Sequence, residues 1–395
     1  MSSPARVDRV DPIPQLLDDA LARIRPLHSG ATAQYIPELA AADPDQLALA
    51  AVGPRGRIYS AGDDRAEFSI QSVSKPFVLA LALQQHGRDE VFRRVGVEPS
   101  GEPFNAISLE GSTGRPANPM VNAGAIATSG LIDGRDVDSR TSAIVDVLSR
   151  FAGRSLWIDE SVYQSESATG HRNRALAHLM RSYDIVSGDV DAVVESYFRQ
   201  CSVLVTVRDL AVMAATLAFG GRNPATGEQV VAEGVARDVV SIMSSCGMYD
   251  YSGEWMLRVG LPAKSGVSGD LLAVAPSQFG IGAFSPRLDS HGNSVRATAL
   301  VEALSEDFGM HLLEHHEAIA EPGVRVEHAD GGVTVHLGGE LGLSGVDRVF
   351  DAIQDIPDAL EVIVDARALR RAHPLVLDVL RTRLSESASR ARLSE

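Results

Sequence analysis

Lysine is almost absent from this chain of 395 residues. Only Lys75 and Lys264 occur, so 34 of the 36 basic residues are arginine. A buried amine can lose its proton, whereas a guanidinium keeps its charge at biological pH. The scarcity therefore draws attention to both lysines, and above all to Lys75, which begins an apolar stretch.

Cysteines and long apolar runs are scarce as well. Cys201 and Cys246 are too few for a disulfide framework and lack the spacing of a metal site, so we expect both to be reduced and buried. The most apolar runs, 76–83 and 209–221, are shorter than the roughly 18 to 20 residues that a membrane span requires. No signal-peptide pattern precedes them. The sequence predicts a cytoplasmic protein with no membrane partner.

Positive charge is also in short supply. The formal net charge of -16 argues against nucleic acid as a partner, because phosphate backbones are bound by basic surfaces. No phosphate-binding glycine loop is present, and the histidines lack the spacing of metal ligands. We therefore expect neither a cofactor nor a metal.

The order of strand and helix patterns indicates the fold class. A hairpin is predicted around the turn at 53–56, and short β-rich runs follow Lys264. Between them, residues 121–247 have mostly helical patterns, and 72–87 has the pattern of a buried helix that ends at Gly87. This order predicts an α/β (α+β) sandwich, in which an antiparallel sheet carries a helical subdomain.

A change in composition predicts a second domain. A polar stretch that contains Pro322 and Gly323 follows the last helix of the larger unit. We place a first domain at 1–310, a linker at 311–322 and a second domain at 323–395. The second domain has the pattern ββαβα, which predicts a small α/β domain.

Ser72 and Lys75 have the spacing of a nucleophile and its base. Residues three apart share a helix face, so the amine can reach the hydroxyl. Ser72 near a helix start can also offer its own N–H to an oxyanion. The motif alone equally fits a helix cap followed by a surface cation.

Lys264 strengthens the first interpretation. It begins a Lys-Ser-Gly sequence before a predicted strand, at 264–266. Ser-x-x-Lys followed by Lys-Ser/Thr-Gly is the pairing of penicillin-binding proteins and class A β-lactamases. Both lysines fall in that pattern, which favours a serine hydrolase that transfers acyl groups.

Other polar residues are candidates for ligand binding. Asn122 lies in an Asn-rich stretch that suits either a ligand amide contact or a structural turn. Glu166 and Asn173 are predicted near one helix start, where a carboxylate can pair with an ammonium group or complement the helix dipole. Tyr197 and Tyr249 can be core rings or proton relays.

The ordered motifs resemble the serine-dependent glutaminases, which share the β-lactamase-like fold. The resemblance runs through about residues 10–310 and rests on AQYIPELA, IQSVSKPF, NPMVNAGAI, ESATGHRNRALA, SYFRQCSV, CGMYDYSGEW and AKSGVSGD. It implies hydrolysis of L-glutamine to L-glutamate and ammonia.

The resemblance also implies a role for each matching residue. Ser72 is expected to be the nucleophile, Lys75 its general base and Tyr249 a proton relay or the base of one half-reaction. Val267 would act through its backbone near the oxyanion, together with the Ser72 amide. The residues expected to hold the amino acid are Tyr35, Asn122, Glu166, Asn173 and Tyr197, with Ser72, Tyr249 and Val267 beside them.

The C-terminal residues resemble a STAS domain, through GELGLSGVDRVFDAI and LEVIVDARAL. The acceptor serine of phosphorylated members is missing, since the sequence there is RRAHPLV. The resemblance implies a regulatory or interaction module whose protein or ligand partner is unknown.

The resemblance to glutaminases further implies a homodimer or homotetramer. Two alternatives to a glutaminase remain at this stage, a serine hydrolase that reacts with penicillins and a glutamine sensor without turnover.

Overall fold

The computed structural model describes residues 12–101, 109–314, 324–329, 332–354, 356, 360–372, 374–386 and 391–394. The chain divides into two compact units, residues 20–303 and a smaller unit of residues 1–19 with 304–395. The domain limits 1–310, 311–322 and 323–395 stay a prediction, and residues 315–322 of the predicted linker lie outside the described residues.

The helices of the described residues follow one another along most of the chain. They are α1 (Pro12–Ile24), α2 (Pro37–Ala40), α3 (Lys75–Arg94), α4 (Asn122–Leu131), α5 (Val137–Ala152), α6 (Glu160–Thr169), α7 (His171–Arg181), α8 (Val190–Cys201), α9 (Val207–Ala218), α10 (Glu233–Cys246), α11 (Ser252–Arg258), α12 (Val295–Phe308), α13 (Leu343–Gln354) and α14 (Pro374–Glu386). Short 3₁₀ turns at Gln71–Ser74 and Tyr249–Tyr251 precede α3 and α11.

The strands form one main sheet in the larger unit and another in the smaller unit. They are β1 (Ala48–Val52), β2 (Ile58–Gly62), β3 (Phe68–Ser69), β4 (Leu204–Val205), β5 (Ala263–Ser265), β6 (Asp270–Ala275), β7 (Phe279–Phe284), β8 (Arg325–Ala329), β9 (Gly332–Leu341), β10 (Glu361–Ala372) and β11 (Ala391–Ser394). The larger sheet has the order β2-β1-β7-β6-β5, and all its neighbours are antiparallel. The predicted antiparallel sheet with helices between its strands is confirmed.

The close packing of α9 on this sheet depends on glycines in β7. A Cβ atom at Gly280 would lie 2.0 Å from the Ala215 nitrogen, and one at Gly282 would lie 2.4 Å from the Val207 carbonyl. Glycine therefore lets the helix backbone approach the strand backbone directly. Thr206 and Asp209 form a capping box that starts α9 at this contact.

The buried helix α3 is broken at Gly87, where the predicted helix ends. Gly87 has the non-helical angles φ 75° and ψ 173°, and a second helical segment follows it up to Arg94. At the other end, Pro76 has no N–H to donate to the Ser72 carbonyl. The Lys75 N–H bonds to that carbonyl instead, which makes a 3₁₀ turn, and the α-helix begins at Lys75.

The smaller unit contains a four-stranded sheet in the order β11-β10-β9-β8. β10 is parallel to β9 and β11, and β8 is antiparallel to β9. Arg383 of α14 and Asp347 of α13 form a buried ion pair of 3.0 Å. The ββαβα order is found, followed by the edge strand β11, which is too short for its sequence pattern to predict. The STAS-like assignment stays a prediction.

Within the described residues, no helix combines the length and the apolar character that a bilayer crossing requires.

We predict that Gly280→Ala destabilises the larger unit by about 1–3 kcal/mol, because the new methyl group collides with backbone atoms of α9. Thermal and urea unfolding measure the effect. Gly253→Ala is the matched control, since Gly253 lies in α11 with no atom within 4 Å of an added Cβ. Equal unfolding midpoints for the two variants would contradict the packing argument.

Candidate active site

Ser72 and Lys75 lie on consecutive turns and contact each other. Ser72 belongs to the 3₁₀ turn Gln71–Ser74, and Lys75 is the first residue of α3. Lys75 Nζ donates a hydrogen bond of 2.5 Å to Ser72 Oγ. The two residues are buried, with exposed fractions of 7% and 1%. The pair has the contact that a nucleophilic hydroxyl requires with its base.

Asn122 connects Lys75 to the neighbouring helices. It is the first residue of α4, and its Oδ1 accepts hydrogen bonds from Lys75 Nζ at 2.9 Å and from the Tyr197 hydroxyl at 3.2 Å. Its Nδ2 donates to Asn173 Oδ1 at 3.1 Å. One amide side chain therefore orients the Lys75 amine and gathers residues of α4, α7 and α8.

Glu166 supplies a buried carboxylate from α6. Its Oε1 accepts hydrogen bonds from the Tyr35 hydroxyl at 2.8 Å and from Gln71 Nε2 at 3.1 Å. Burial raises the pKa of Glu166, while these hydrogen bonds and the charge of Lys75 act in the opposite direction. A carboxylate in this setting can pair with the ammonium group of a ligand.

A pocket of about 250 Å³ unites most of the residues that the sequence indicates. On its wall are Tyr35, Ser72, Asn122, Glu166, Asn173, Tyr197 and Val267. The lining residues that sequence reasoning missed are Gln71, Thr169, Gly170, Arg172 and Cys201. For two of them, the available signal was a position next to a predicted residue, since Gln71 precedes Ser72 and Arg172 precedes Asn173.

Tyr249 and Lys264 form a second buried contact beside the nucleophile. The Tyr249 hydroxyl donates to the Ser265 carbonyl at 3.0 Å, and Lys264 Nζ lies 3.8 Å from the centre of the Tyr249 ring. Lys264 also donates to the Ser265 carbonyl at 2.8 Å. Burial raises the pKa of Tyr249, while its hydrogen bond with Ser72 lowers it. Tyr249 thus contacts Ser72 with its hydroxyl and Lys264 with its ring.

Two residues of the site have strained backbones. Gln71 has φ 44° and Tyr249 has φ 59°, a left-handed conformation that large side chains rarely adopt. Both contact key groups, because Gln71 bonds to Glu166 and Tyr249 contacts Ser72. Such strain persists where the surrounding structure imposes it, and it is concentrated at functional sites.

Burial decides the protonation of the two lysines. It lowers the pKa of Lys75 from 10.5 to about 8, although Cys201, Glu166 and Asp270 oppose the shift. It also lowers the pKa of Lys264 well below the ordinary value. Because arginine could not lose its proton in the same place, the observed lysines suit groups that exchange protons.

The structure corrects the expected position of Glu166. The sequence placed it near the start of the helix that carries Asn173, but it lies within a separate helix, α6. Asp159 accepts hydrogen bonds from the Ser161 and Val162 nitrogens and so starts this earlier helix. Gly170 divides it from α7. Ser72, likewise expected in a first α-helical turn, lies in the preceding 3₁₀ turn.

The assembled groups can support acyl transfer through serine. They comprise a hydroxyl bonded to an amine, a phenol hydrogen-bonded to that hydroxyl, and a buried carboxylate on the wall of the same pocket. In the part of the chain that the structure describes, no three His, Cys, Asp or Glu side chains are grouped to hold a metal ion. The fold and the pocket are those expected of a hydrolase.

Comparison with known proteins gives the family. The glutaminase family pattern matches residues 30–313, and the chain therefore belongs to the glutaminase family. A glutaminase of Corynebacterium efficiens is 50% identical over 347 residues, which are 87% of this chain and 82% of that protein. Similarity at this level over most of both chains makes this protein a glutaminase.

Solved structures are similar over nearly the whole chain. In a crystal structure of the protein called Mglu, the sequence is 42% identical to this one and the TM-score is 0.76. The match covers 97% of this chain and 98% of the Mglu chain. A second structure, described as Mglu in its glutamate form, is 39% identical with a TM-score of 0.76 and the same coverage. The mixed fold with its antiparallel sheet is therefore shared with glutaminase structures.

We predict that neither cysteine of the folded protein reacts readily with a thiol reagent at about pH 8. Burial raises the pKa of Cys201 to about 12 and also raises that of Cys246, whereas the thiolate is the reactive form. Absorbance with an aromatic disulfide reagent measures the reaction. Both thiols should react once the protein is unfolded in urea, and rapid labelling of Cys201 in the native protein would contradict the prediction.

Proposed function

We propose that the protein hydrolyses L-glutamine to L-glutamate and ammonia through an acyl-enzyme on Ser72. The hydrogen bond of 2.5 Å between Lys75 Nζ and Ser72 Oγ is the observation that carries the proposal. It couples a nucleophile to an amine whose pKa burial lowers to about 8. The family membership supplies the substrate class, and one similar structure is described in a glutamate form.

Acylation begins when neutral Lys75 takes the Ser72 hydroxyl proton. The Ser72 Oγ then bonds to the side-chain amide carbon of glutamine, and the negative charge moves onto the carbonyl oxygen. We assign the backbone N–H groups of Ser72 and Val267 to this oxyanion. As the C–N bond breaks, Lys75 or Tyr249 returns a proton to the nitrogen, and ammonia leaves.

Deacylation reverses these roles with water as the nucleophile. The neutral amine of Lys75, or the phenolate of Tyr249 where Tyr249 supplied the proton for ammonia, accepts a proton from water, and the resulting hydroxide attacks the ester carbon. The ester bond to Ser72 Oγ breaks, Ser72 regains its proton, and glutamate is released. The contact of the Tyr249 hydroxyl with Ser72 supports a part for this group in either half-reaction.

The α-amino and α-carboxylate groups of glutamine need partners of opposite character. Glu166 is proposed to bind the ammonium group, because its carboxylate is buried and held by Tyr35 and Gln71. Asn122, Asn173 and Tyr197 form a connected set that is proposed to bind the carboxylate. These contacts would select an amino acid whose amide lies a fixed distance from its charged end.

Three finer features remain proposals. The residues from 323 onward are proposed to form a STAS-like module with a regulatory or interaction role. The chain is proposed to assemble as a homodimer or homotetramer, and the cytoplasm is its proposed location. A glutamine/asparagine ammonia assay on the full chain would define the side-chain length that the pocket accepts.

We predict that Ser72→Ala lowers kcat by roughly 10⁴-fold or more, since no acyl-enzyme can form. Lys75→Arg should lower kcat by roughly 10²- to 10⁴-fold, because arginine keeps its charge and cannot accept the serine proton. Ammonia release from glutamine measures both effects. Ser241→Ala, at an exposed serine of α10, is the control and should retain turnover.

Circular dichroism should show that the Ser72 and Lys75 variants keep the native fold. Wild-type turnover in Ser72→Ala would exclude the acyl-enzyme. Covalent labelling of Ser72 by a fluorescent penicillin would favour a penicillin-reactive hydrolase, and heat stabilisation by glutamine without glutamate formation would favour a sensor. We expect none of these three outcomes.

We predict that kcat/KM rises with pH and levels off above about pH 8. Lys75 accepts a proton only as the neutral amine, and burial lowers its pKa to about 8. The fraction of enzyme with neutral Lys75 therefore decreases as the pH falls below about 8. Initial rates between about pH 6 and 9 measure the profile, with circular dichroism as the control for folding. A flat profile across this range would exclude a titrating Lys75 base.

A further inference from the structure

Asp270 is a buried acid next to the catalytic centre to which the proposed reaction gives no role. It is the first residue of β6 and has no exposed surface. The Gly266 nitrogen donates to the Asp270 carbonyl at 2.8 Å, so the two residues face each other across the β5–β6 hairpin. A Cβ atom at Gly266 would lie 2.1 Å from Asp270 Oδ1. Glycine there makes room for the carboxylate.

The strand register places this carboxylate on the same sheet face as Lys264. Lys264 is opposite Leu272, and Asp270 lies two residues before Leu272 on the same strand. Because side chains alternate between the faces of a strand, Asp270, Leu272 and Lys264 share one face. Leu272 is also opposite Gly282, the glycine that meets α9, so this face looks toward the helices.

The Asp270 carboxylate lacks the partners that a buried acid normally has. Neither oxygen meets hydrogen-bond geometry with any group in the described residues. The backbone N–H groups of Ser268 and Asp270 favour its charged form, but burial dominates and raises the pKa of Asp270 well above its usual range. By contrast, Glu166 accepts two side-chain hydrogen bonds. Burial of an acid without partners is costly unless nearby charges compensate it.

The compensating charges are the two lysines. The charge of Asp270 raises the pKa values of Lys75, which belongs to α3, and of Lys264, which belongs to β5. Both lysines in turn stabilise the anionic form of Asp270. The charge of Asp270 also raises the pKa values of Tyr249 and Cys201. Both are protonated, because burial raises their pKa values. Asp270 therefore interacts electrostatically with both amines, and Glu166 is a second anion near Lys75.

We propose that Asp270 is a positioning residue of the catalytic centre, whose carboxylate balances the single proton that Lys75 and Lys264 hold between them. When the proton lies on Lys264, the pair of Asp270 and Lys264 is electrically neutral, and the neutral amine of Lys75 is available to Ser72. The proposal rests on Lys75 serving as the base for Ser72. Without Asp270, Lys264 would lose its compensating anion and Lys75 would keep only Glu166, so both amines would lose their protons more easily.

Opposite shifts in two variants distinguish this role from a structural one. Asp270→Asn removes an anion and should move the acid limb of the kcat/KM profile to lower pH. Lys264→Met removes a competing cation but keeps the anion, so the same limb should move to higher pH. Asp238→Asn is the matched control, because Asp238 of α10 is also buried but pairs with Arg88 of α3, and it should leave the limb unchanged.

The scarcity of lysine permits a direct measurement. Protein labelled with ¹⁵N-lysine carries its label at two side chains only. In the full chain, NMR titration should give one amine and one ammonium signal over a common pH interval, with the signals assigned from Lys264→Met. In Asp270→Asn both titrations should move to lower pH. If Asp270→Asn does not fold, the signals of the unaltered protein and of Lys264→Met still test the proposal.

Unmoved lysine titrations and an unmoved acid limb in Asp270→Asn would overturn the role of Asp270. If Lys264→Met shifted the acid limb of the kcat/KM profile in the same direction as Asp270→Asn, the shifts would reflect a general structural disturbance and the proposed role of Asp270 would be wrong. The proposed function fails separately, through an active Ser72→Ala variant, so the two failures are distinguishable.

Discussion

An amine held in a dry interior against a serine hydroxyl is the constraint on which the rest of the site depends. Lys75 Nζ lies 2.5 Å from Ser72 Oγ and 2.9 Å from Asn122 Oδ1. Burial makes the amine easier to deprotonate, but it also requires an acceptor for each N–H that is retained. Asn122 meets that requirement and, through Tyr197 and Asn173, connects the amine to the pocket wall.

The surrounding fold keeps this arrangement despite local strain. Pro76 prevents a continuous α-helix and leaves Ser72 on a 3₁₀ turn, while Gln71 and Tyr249 adopt left-handed backbones beside it. The turn at Gln71–Ser74 packs against α8, α3 and the strands β5 and β6, which support it. Strain of this kind is tolerated because the neighbouring helices and strands leave the turns no alternative conformation.

Much of the site was predictable because its chemistry depends on residue types that few other residues can replace. Lys75 and Lys264 stood out in a chain that otherwise uses arginine, and their Ser-x-x-Lys and Lys-Ser-Gly contexts indicated one active-site architecture. Gln71 and Arg172 were missed, since no pattern distinguishes a lining polar residue from an ordinary surface one. The helix break at Gly87 was predictable from the glycine, whereas the 3₁₀ turn before Lys75 was not.

The antiparallel sheet, the helical layer and the family were predictable, because alternation, periodicity and ordered motifs are local in the chain. Which charges meet depends on the fold in three dimensions. Tyr35, Gln71 and Glu166 converge from distant segments, and Asp270 shares a sheet face with Lys264 through strand register. The protonation of a buried group depends on its desolvation and its neighbours in space, and neither is encoded in the residues adjacent to it along the chain.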